Sequence, residues 1–142
     1  MVESSERQIG MIGTGRMGGP MAERLLEAGH RLVVFDTNEA ALRPLAARGA
    51  TIARSALEVA NQADVVLASL PTPDIVRRTI IGPDGAINGT RIRRCVDLSS
   101  TGAVATTEIA AALAPRGIEF LDAPVSGGVA GARGGKLTVM VS

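Results

Sequence analysis

Short apolar runs alternate with helical segments along the chain, and this alternation is the strongest constraint on its fold. We predict strands at residues 8–12, 31–35, 50–53, 64–70, 95–98, 118–121 and 137–141. Helical spacing and capping residues predict helices at 16–28, 39–48, 55–62, 74–80 and 103–114, although Pro44 makes the second helix doubtful. We interpret the glycine-rich segment 122–135 as a loop. Because strands that alternate with helices form parallel sheets, we predict an α/β fold with a doubly wound, mostly parallel sheet and helices on both faces.

The composition fits such a sheet and excludes several classes of partner. Hydrophobic residues make up 46% of the chain, with two Phe and no Trp or Tyr, so the core must consist of aliphatic residues and Met. The formal net charge of +1 predicts no nucleic acid partner and no anionic membrane surface. We interpret Arg91, Arg93 and Arg94 as a solvated loop rim rather than a phosphate patch. No apolar run approaches the roughly 18 residues that a membrane span needs.

The single cysteine, Cys95, excludes an internal disulfide and is typical of a reducing compartment. It lies in a predicted buried strand with no histidine nearby, which favours a packed thiol over a nucleophile. The polar N-terminal residues carry no signal segment, so we expect a soluble, cytoplasmic protein. We expect one domain over residues 1–142, and an end directly after a strand favours a truncated chain.

The segment Gly13-Thr14-Gly15-Arg16-Met17-Gly18 matches the pattern G-x-G-x-x-G. The pattern alone is weak, but here it follows a predicted strand, opens a predicted helix and precedes a second strand. In a dinucleotide site the first glycine permits a tight turn, the second lets the backbone approach the pyrophosphate, and the third lets helix and strand pack closely. The free N–H groups at the helix start then face the phosphates. We therefore predict a Rossmann-type cofactor loop, with a ligand-free glycine turn as the alternative.

Asp36 ends the second predicted strand, 18 residues after Gly18, near the spacing of about 20 expected for a ribose-binding acid. Its carboxylate can accept hydrogen bonds from a ribose diol and would repel a 2′-phosphate, so we predict NAD rather than NADP as cofactor. The alternative is that Asp36 only caps the next helix.

Three segments resemble the β-hydroxyacid dehydrogenase family, which includes 3-hydroxyisobutyrate dehydrogenase and 2-hydroxy-3-oxopropionate (tartronate semialdehyde) reductase. The segment Gly10-Met-Ile-Gly-Thr-Gly-Arg-Met-Gly-Gly-Pro-Met21 is similar to the family's N-terminal signature. Asp122-Ala-Pro-Val-Ser-Gly-Gly128 is similar to its substrate loop, and Gly135-Lys-Leu-Thr-Val-Met140 to the following strand. The resemblance covers nearly the whole chain from about residue 7.

The resemblance implies roles at the matching positions. Arg16 and Met17 would offer backbone N–H groups to the pyrophosphate. Leu70 and Pro71 would pass beneath the cofactor, and Ser100 would lie beside the nicotinamide ribose. The substrate carboxylate would be bound by Ser126, Gly127 and Gly128, and exposed N–H groups of successive glycines do suit anions. The alternative is that these glycines only turn the chain.

The family's general acid is a Lys on a helix that follows this domain, and no residue here matches it. Lys136 is the only Lys in the chain, and we interpret it as a surface residue. We interpret His30 as structural or exposed. We therefore predict no catalytic residue and no metal site within this chain, and the all-helical C-terminal domain expected for the family is absent from it.

These observations predict the NAD-binding domain of an oxidoreductase. Hydride would pass between NAD(H) and a small β-hydroxyacid or its semialdehyde, of the 3-hydroxyisobutyrate or tartronate semialdehyde type. Homo-oligomers would form only through the missing C-terminal domain. The alternative is a non-catalytic dinucleotide-binding module, which the missing Lys favours and the intact substrate loop disfavours.

Overall fold

The computed structural model describes residues 8–141. In chain order its elements are β1 (Gln8–Ile12), α1 (Gly18–Glu27), β2 (Arg31–Phe35), α2 (Glu39–Ala47), β3 (Thr51–Ile52), α3 (Ala56–Gln62), β4 (Val65–Ala68), α4 (Pro73–Ile81), β5 (Arg94–Asp97), α5 (Ala103–Leu113), β6 (Glu119–Asp122), β7 (Val125–Ser126), α6 (Gly128–Gly134) and β8 (Thr138–Val139). Single 3-10 turns at Ala86–Asn88 and Ala114–Arg116 follow α4 and α5. The longest helix within residues 8–141 is α5, with 11 residues, and no helix there has the length and apolar character to cross a bilayer.

Strands β1–β6 form one sheet in the order β3-β2-β1-β4-β5-β6, and every neighbouring pair is parallel. After β3 the chain crosses to the other side of β1, so the connections that leave β1 and β4 diverge. The crevice at this switch point, outside the carboxyl ends of the strands, is where sheets of this order bind ligands.

The core lies in two layers, one on each face of the sheet. Met11 and Val34 belong to one layer and Ile12 and Val33 to the other, because neighbouring residues of a strand point to opposite faces. Residues of α1 and α2 complete the first layer, and residues of α3, α4 and α5 complete the second (Ala22, Leu42 and Leu45; Val59, Val76, Ile80, Ile109 and Leu113). Each buried Val, Leu or Ile contributes about 1.5–3 kcal/mol. The predicted doubly wound sheet with helices on both faces is confirmed.

Helix α2 continues through Pro44 despite the doubt raised by its sequence. The side chain of Asn38 accepts a hydrogen bond from the N–H of Ala40 at 3.0 Å and caps the helix start. Proline has no N–H, so the carbonyl of Ala40 lacks the hydrogen bond that residue 44 would otherwise donate. Both Ala40 and Pro44 are exposed. Water can replace that bond, while Leu42 and Leu45 anchor the helix in the core on either side of the proline.

The last twenty residues differ from the sequence prediction. The segment 122–135 was predicted as a loop, but it contains β7 and α6. The strand predicted at 137–141 is reduced to the two residues of β8, which pair antiparallel with β7 outside the main sheet. The reason is local packing: Gly135 turns the chain back with φ +68, and Leu137 then lies against Gly127 and Gly131 of the α6 segment. Val139, Met140 and Val141 consequently remain about half exposed or more, at 49%, 52% and 64%.

Cys95 lies on β5, between β4 and β6, and has no exposed surface. Burial raises the pKa of its thiol far above the usual range, and the negative charge of Asp97 raises it further. A thiol that stays protonated is a poor nucleophile, so the structure agrees with a packed rather than reactive cysteine.

We predict that iodoacetamide at pH 8 modifies Cys95 at least about 100-fold more slowly in the folded chain than in urea, because only the small unfolded fraction exposes a thiol able to ionise. Mass spectrometry of the labelled chain over time measures the two rates. Fast, complete labelling in native buffer would contradict the buried position of β5, and Cys95→Ala is the control for labelling elsewhere.

Candidate functional site

A cavity of about 490 Å³ lies at the carboxyl ends of β1, β2 and β4, at the switch point of the sheet. We call it the edge cavity. Its wall is formed by the glycine loop, by the ends of β2 and β4, and by the first turns of α4 (Ile12, Gly13, Gly15, Arg16, Met17 and Gly18; Phe35, Asp36 and Thr37; Ser69, Leu70 and Pro71; Ile75 and Thr79). Eight of the residues predicted from the sequence to bind a cofactor therefore line one cavity: Gly13, Gly15, Arg16, Met17, Gly18, Asp36, Leu70 and Pro71.

Gly13 and Gly18 are required by the packing of the chain itself. Gly13 has φ +93, and a Cβ there would lie 2.1 Å from the carbonyl oxygen of Ser69. A Cβ on Gly18 would lie 1.9 Å from the carbonyl oxygen of Gly13. The turn between β1 and α1 is therefore so tight that no side chain fits at either position.

Gly15 is different because a Cβ there would meet no atom of residues 8–141 within 4 Å. Its φ is not positive, so the backbone does not require glycine either. The space beside Gly15 is part of the edge cavity. A glycine that neither packing nor φ explains is expected where a ligand approaches the backbone closely.

Free backbone donors surround this glycine. Within residues 8–141, the N–H groups of Gly15, Arg16 and Met17 donate no hydrogen bond to a protein acceptor. Helix α1 begins directly after them, and its N-cap residue, Met17, provides no side-chain cap. These donors and the positive end of the α1 dipole together suit a bound anion.

Asp36 lies beside the glycine loop and is held by backbone donors. Its Oδ2 accepts hydrogen bonds from the N–H of Thr14 at 2.7 Å and from the Thr14 hydroxyl at 3.3 Å. Its Oδ1 accepts one from the N–H of Asn38 at 2.8 Å. The side chain that caps α2 is Asn38, so the capping alternative for Asp36 is wrong. Thr14 is 3% exposed and does not line the edge cavity; its contact is with Asp36.

A second cluster lies at the carboxyl end of β5. We call Asp97, Ser99 and Thr101 the Asp97 cluster. The carboxylate of Asp97 is fully buried and accepts hydrogen bonds from the N–H of Ser99 at 2.9 Å and from the hydroxyl of Thr101. The Ser99 hydroxyl in turn accepts a bond from the N–H of Leu70 at 2.8 Å, which joins this cluster to the wall of the edge cavity. Ser100, between them, is exposed and does not line the cavity.

The predicted substrate residues lie apart from the edge cavity. Ser126 is on β7, and Gly127 and Gly128 follow with φ +128 and +64, which only glycine adopts readily. All three are exposed, and none lines the edge cavity. Lys136 is exposed as well. Among residues 8–141, no group of three His, Cys, Asp or Glu side chains could hold a metal ion.

Sequence reasoning missed two sets of residues. Thr37, Ile75 and Thr79 line the edge cavity, but Ile75 and Thr79 lie on α4, whose approach to the glycine loop depends on the crossover. Asp97, Ser99 and Thr101 were also missed, although the pattern Asp-x-Ser-x-Thr after a strand is a known signal of side chains that bond to nearby backbone groups.

Comparison with known proteins gives a consistent result. Residues 8–142 match the family described as the NAD binding domain of 6-phosphogluconate dehydrogenase. The NAD-dependent L-serine dehydrogenase of Pseudomonas aeruginosa is 45% identical over 139 residues, which cover 95% of this chain and 46% of that enzyme. The chain spans about half the length of the curated relatives it matches.

Solved structures agree with this match. Mycobacterium tuberculosis 3-hydroxyisobutyrate dehydrogenase with L-serine superimposes with a TM-score of 0.88 at 38% identity, over 96% of this chain and 46% of that one. Psf3 in complex with NADP+ and 2-OPP has a TM-score of 0.86 at 29% identity, over 94% of this chain and 48% of that one. The resemblance seen in the sequence is thus confirmed: the chain belongs to the β-hydroxyacid dehydrogenase family and corresponds to its N-terminal NAD(P)-binding domain.

Proposed function

We propose that this chain binds NAD(H) in the edge cavity and forms the cofactor half of an oxidoreductase. That enzyme would transfer hydride between NAD(H) and a small β-hydroxyacid or its semialdehyde, of the 3-hydroxyisobutyrate or tartronate semialdehyde type. The observation that carries the proposal is the open space at Gly15, bordered by unpaired N–H groups at the start of α1. Such an arrangement suits a pyrophosphate.

The adenosine side of the cavity supports the same ligand. Phe35 and Ile75 supply apolar wall, which suits the faces of an adenine ring. A carboxylate can accept about four hydrogen bonds. Asp36 accepts three from the protein, two from Thr14 and one from Asn38. The remaining capacity would accept a ribose hydroxyl.

A neighbouring cavity bears on the choice of cofactor. It measures about 530 Å³, shares Phe35, Asp36 and Thr37 with the edge cavity, and is also lined by Arg43 and Arg54. Neither guanidinium forms an ion pair within residues 8–141. The charge of Asp36 would therefore be what excludes a 2′-phosphate from a region that otherwise attracts anions.

The nicotinamide half would lie over the carboxyl ends of β4 and β5, with Leu70 and Pro71 beneath it and Ser100 beside its ribose. When bound, the cofactor supplies or accepts the hydride, and the protein supplies position and electrostatics. Ser126, Gly127 and Gly128 would bind the substrate carboxylate through a hydroxyl and exposed N–H groups. Lys136 is exposed and follows α6, which does not suit a general acid. The general acid would therefore come from outside residues 1–142, as the family resemblance implies.

Gly15→Val tests the pyrophosphate position. We expect the variant to fold normally, since its side chain enters open space, and to bind NAD at least about 100-fold more weakly because that space belongs to the ligand. Calorimetry measures the affinity and circular dichroism the fold. Gly134→Val is the matched control, because Gly134 is exposed and a Cβ there meets no atom closer than 3.9 Å. Normal NAD binding by folded Gly15→Val would place the phosphates elsewhere.

Asp36→Ala tests cofactor preference. We expect the unmodified chain to bind NAD at least about 10-fold more tightly than NADP, and the variant to lose that preference, because the repulsion disappears while Arg43 and Arg54 remain. The ratio of the two affinities is the measurement, since loss of the Thr14 contacts weakens both cofactors alike. Asp84→Ala removes the same charge at an exposed residue that lines neither cavity, and it should leave the ratio unchanged. Equal or tighter NADP binding by the unmodified chain would contradict the role of Asp36.

Because the proposed general acid lies outside residues 1–142, we expect little turnover by this chain alone. Absence of a placed general acid lowers the rate by about 10²- to 10⁴-fold, and incomplete enclosure of the substrate lowers it further. NADH absorbance with a panel of hydroxyacids and semialdehydes measures this for the short chain and for a longer form with a helical domain. Robust turnover by the short chain would reveal an acid within it. A longer form that binds NAD but turns over none of the panel would favour the non-catalytic module.

A further inference from the structure

The burial of Asp97 is not explained by hydrophobic packing of the core. It is the one charged side chain among residues 8–141 that is buried, and it is fully buried. No Arg, Lys or His in the same range forms an ion pair with it. Burying a carboxylate without a neighbouring cation is unfavourable. Packing of the core therefore does not explain why a carboxylate occupies this position.

Those hydrogen bonds fix the short loop that follows β5 at two points. Oδ1 accepts the N–H of Ser99, and Oδ2 accepts the hydroxyl of Thr101. Ser99 and Thr101 are 7% and 6% exposed, whereas Ser100 between them is exposed. The carboxylate thus holds both neighbours of Ser100 inward and leaves Ser100 facing the solvent at the edge of the sheet.

The same residue connects this loop to the loops on both sides. Through Ser99, whose hydroxyl accepts the N–H of Leu70, it reaches the loop after β4. Its own carbonyl oxygen accepts the N–H of Ala123 at 2.8 Å, where the chain leaves β6 toward the predicted substrate loop. Three adjacent carboxyl-end segments are therefore attached to one buried residue.

The position of these segments in the sheet indicates which part of a dinucleotide they would meet. In a sheet of order 3-2-1-4-5-6, each half of the sheet binds one mononucleotide. The glycine loop and Asp36 belong to the half formed by β1–β3, and the Asp97 cluster belongs to the half formed by β4–β6. The buried carboxylate cannot touch a ligand itself, so any effect on binding must pass through the loop that it holds.

We propose that Asp97 is a positioning residue that, through Ser99 and Thr101, holds Ser100 in place for the nicotinamide half of the cofactor. The proposal rests on the proposed dinucleotide function. It predicts that damage to the Asp97 cluster weakens NAD but leaves ADP unaffected, because ADP occupies only the half of the site formed by the glycine loop and Asp36.

Thr101→Val removes the hydroxyl while keeping the shape of the side chain. We expect NAD affinity to fall about 3- to 10-fold, as for the net contribution of a typical hydrogen bond, with ADP affinity within about twofold of the unmodified chain. Thr101→Ser keeps the hydroxyl and should restore NAD binding. Thr106→Val is the matched control, because its buried hydroxyl has no hydrogen-bond partner within residues 8–141. General destabilisation would lower the affinities for both ligands, so the ratio of NAD to ADP affinity isolates the proposed effect.

Ser100→Ala gives a second measurement that does not depend on whether Thr101→Val folds, since Ser100 is exposed. We expect it to lower the NAD to ADP affinity ratio by a similar factor. If Thr101 acts through Ser100, adding Thr101→Val to Ser100→Ala should lower the ratio no further.

The outcomes separate this inference from the function on which it rests. If the unmodified chain binds neither NAD nor ADP, the dinucleotide proposal fails and this one fails with it. If it binds both equally, the nicotinamide half makes no contact and the role of Asp97 is overturned, while adenosine binding stands. If NAD binds more tightly but neither Thr101→Val nor Ser100→Ala lowers the ratio, or if their effects simply add, only the positioning role is overturned.

Discussion

The close approach of three backbone segments at Gly13 determines the geometry of the whole site. Its N–H donates to the carbonyl of Phe35 at 3.0 Å, and its Cα lies against the carbonyl of Ser69 on the other side. The glycine turn is therefore held between the ends of β2 and β4. The carbonyl of Gly13 also meets Gly18 at the start of α1, and the residues between them that have free N–H groups line the edge cavity.

Carboxylates organise both halves of this edge in a similar way. Asp36 accepts backbone N–H groups from the glycine loop and from the start of α2, and Asp97 accepts one from its own loop and is coupled through Ser99 to the loop after β4. The N–H groups of Thr14, Asn38 and Ser99 lie outside the strand ladders, and side-chain acceptors bind them instead. The difference is exposure: Asp36 borders the cavity and can contact a ligand, whereas Asp97 is buried and can only place its neighbours.

The last described segment leaves the residues of its turn open to solvent. The exposed β7 and α6 carry the predicted substrate residues, and the apolar side chains of Val139 and Met140 are about half exposed. A substrate held there would be open to water on this chain alone. Under the proposed function, groups other than those of residues 8–141 would have to enclose the substrate.

The sequence by itself determined the alternating elements, the doubly wound sheet and the glycine turn, because strand periodicity and the need for glycine at a tight turn act within a few residues. The position of Asp36 beside the glycine loop was predictable for the same reason, since the spacing between them follows from one strand–helix–strand unit. Helix α6 was not, because its glycines disfavour a helix and tertiary contacts stabilise it: Ala132 is buried, and Leu137 packs against Gly127 and Gly131. Asp97 was not either: its burial depends on neighbouring β4 and β6 and on the loop that contains Leu70, which tertiary structure alone brings together.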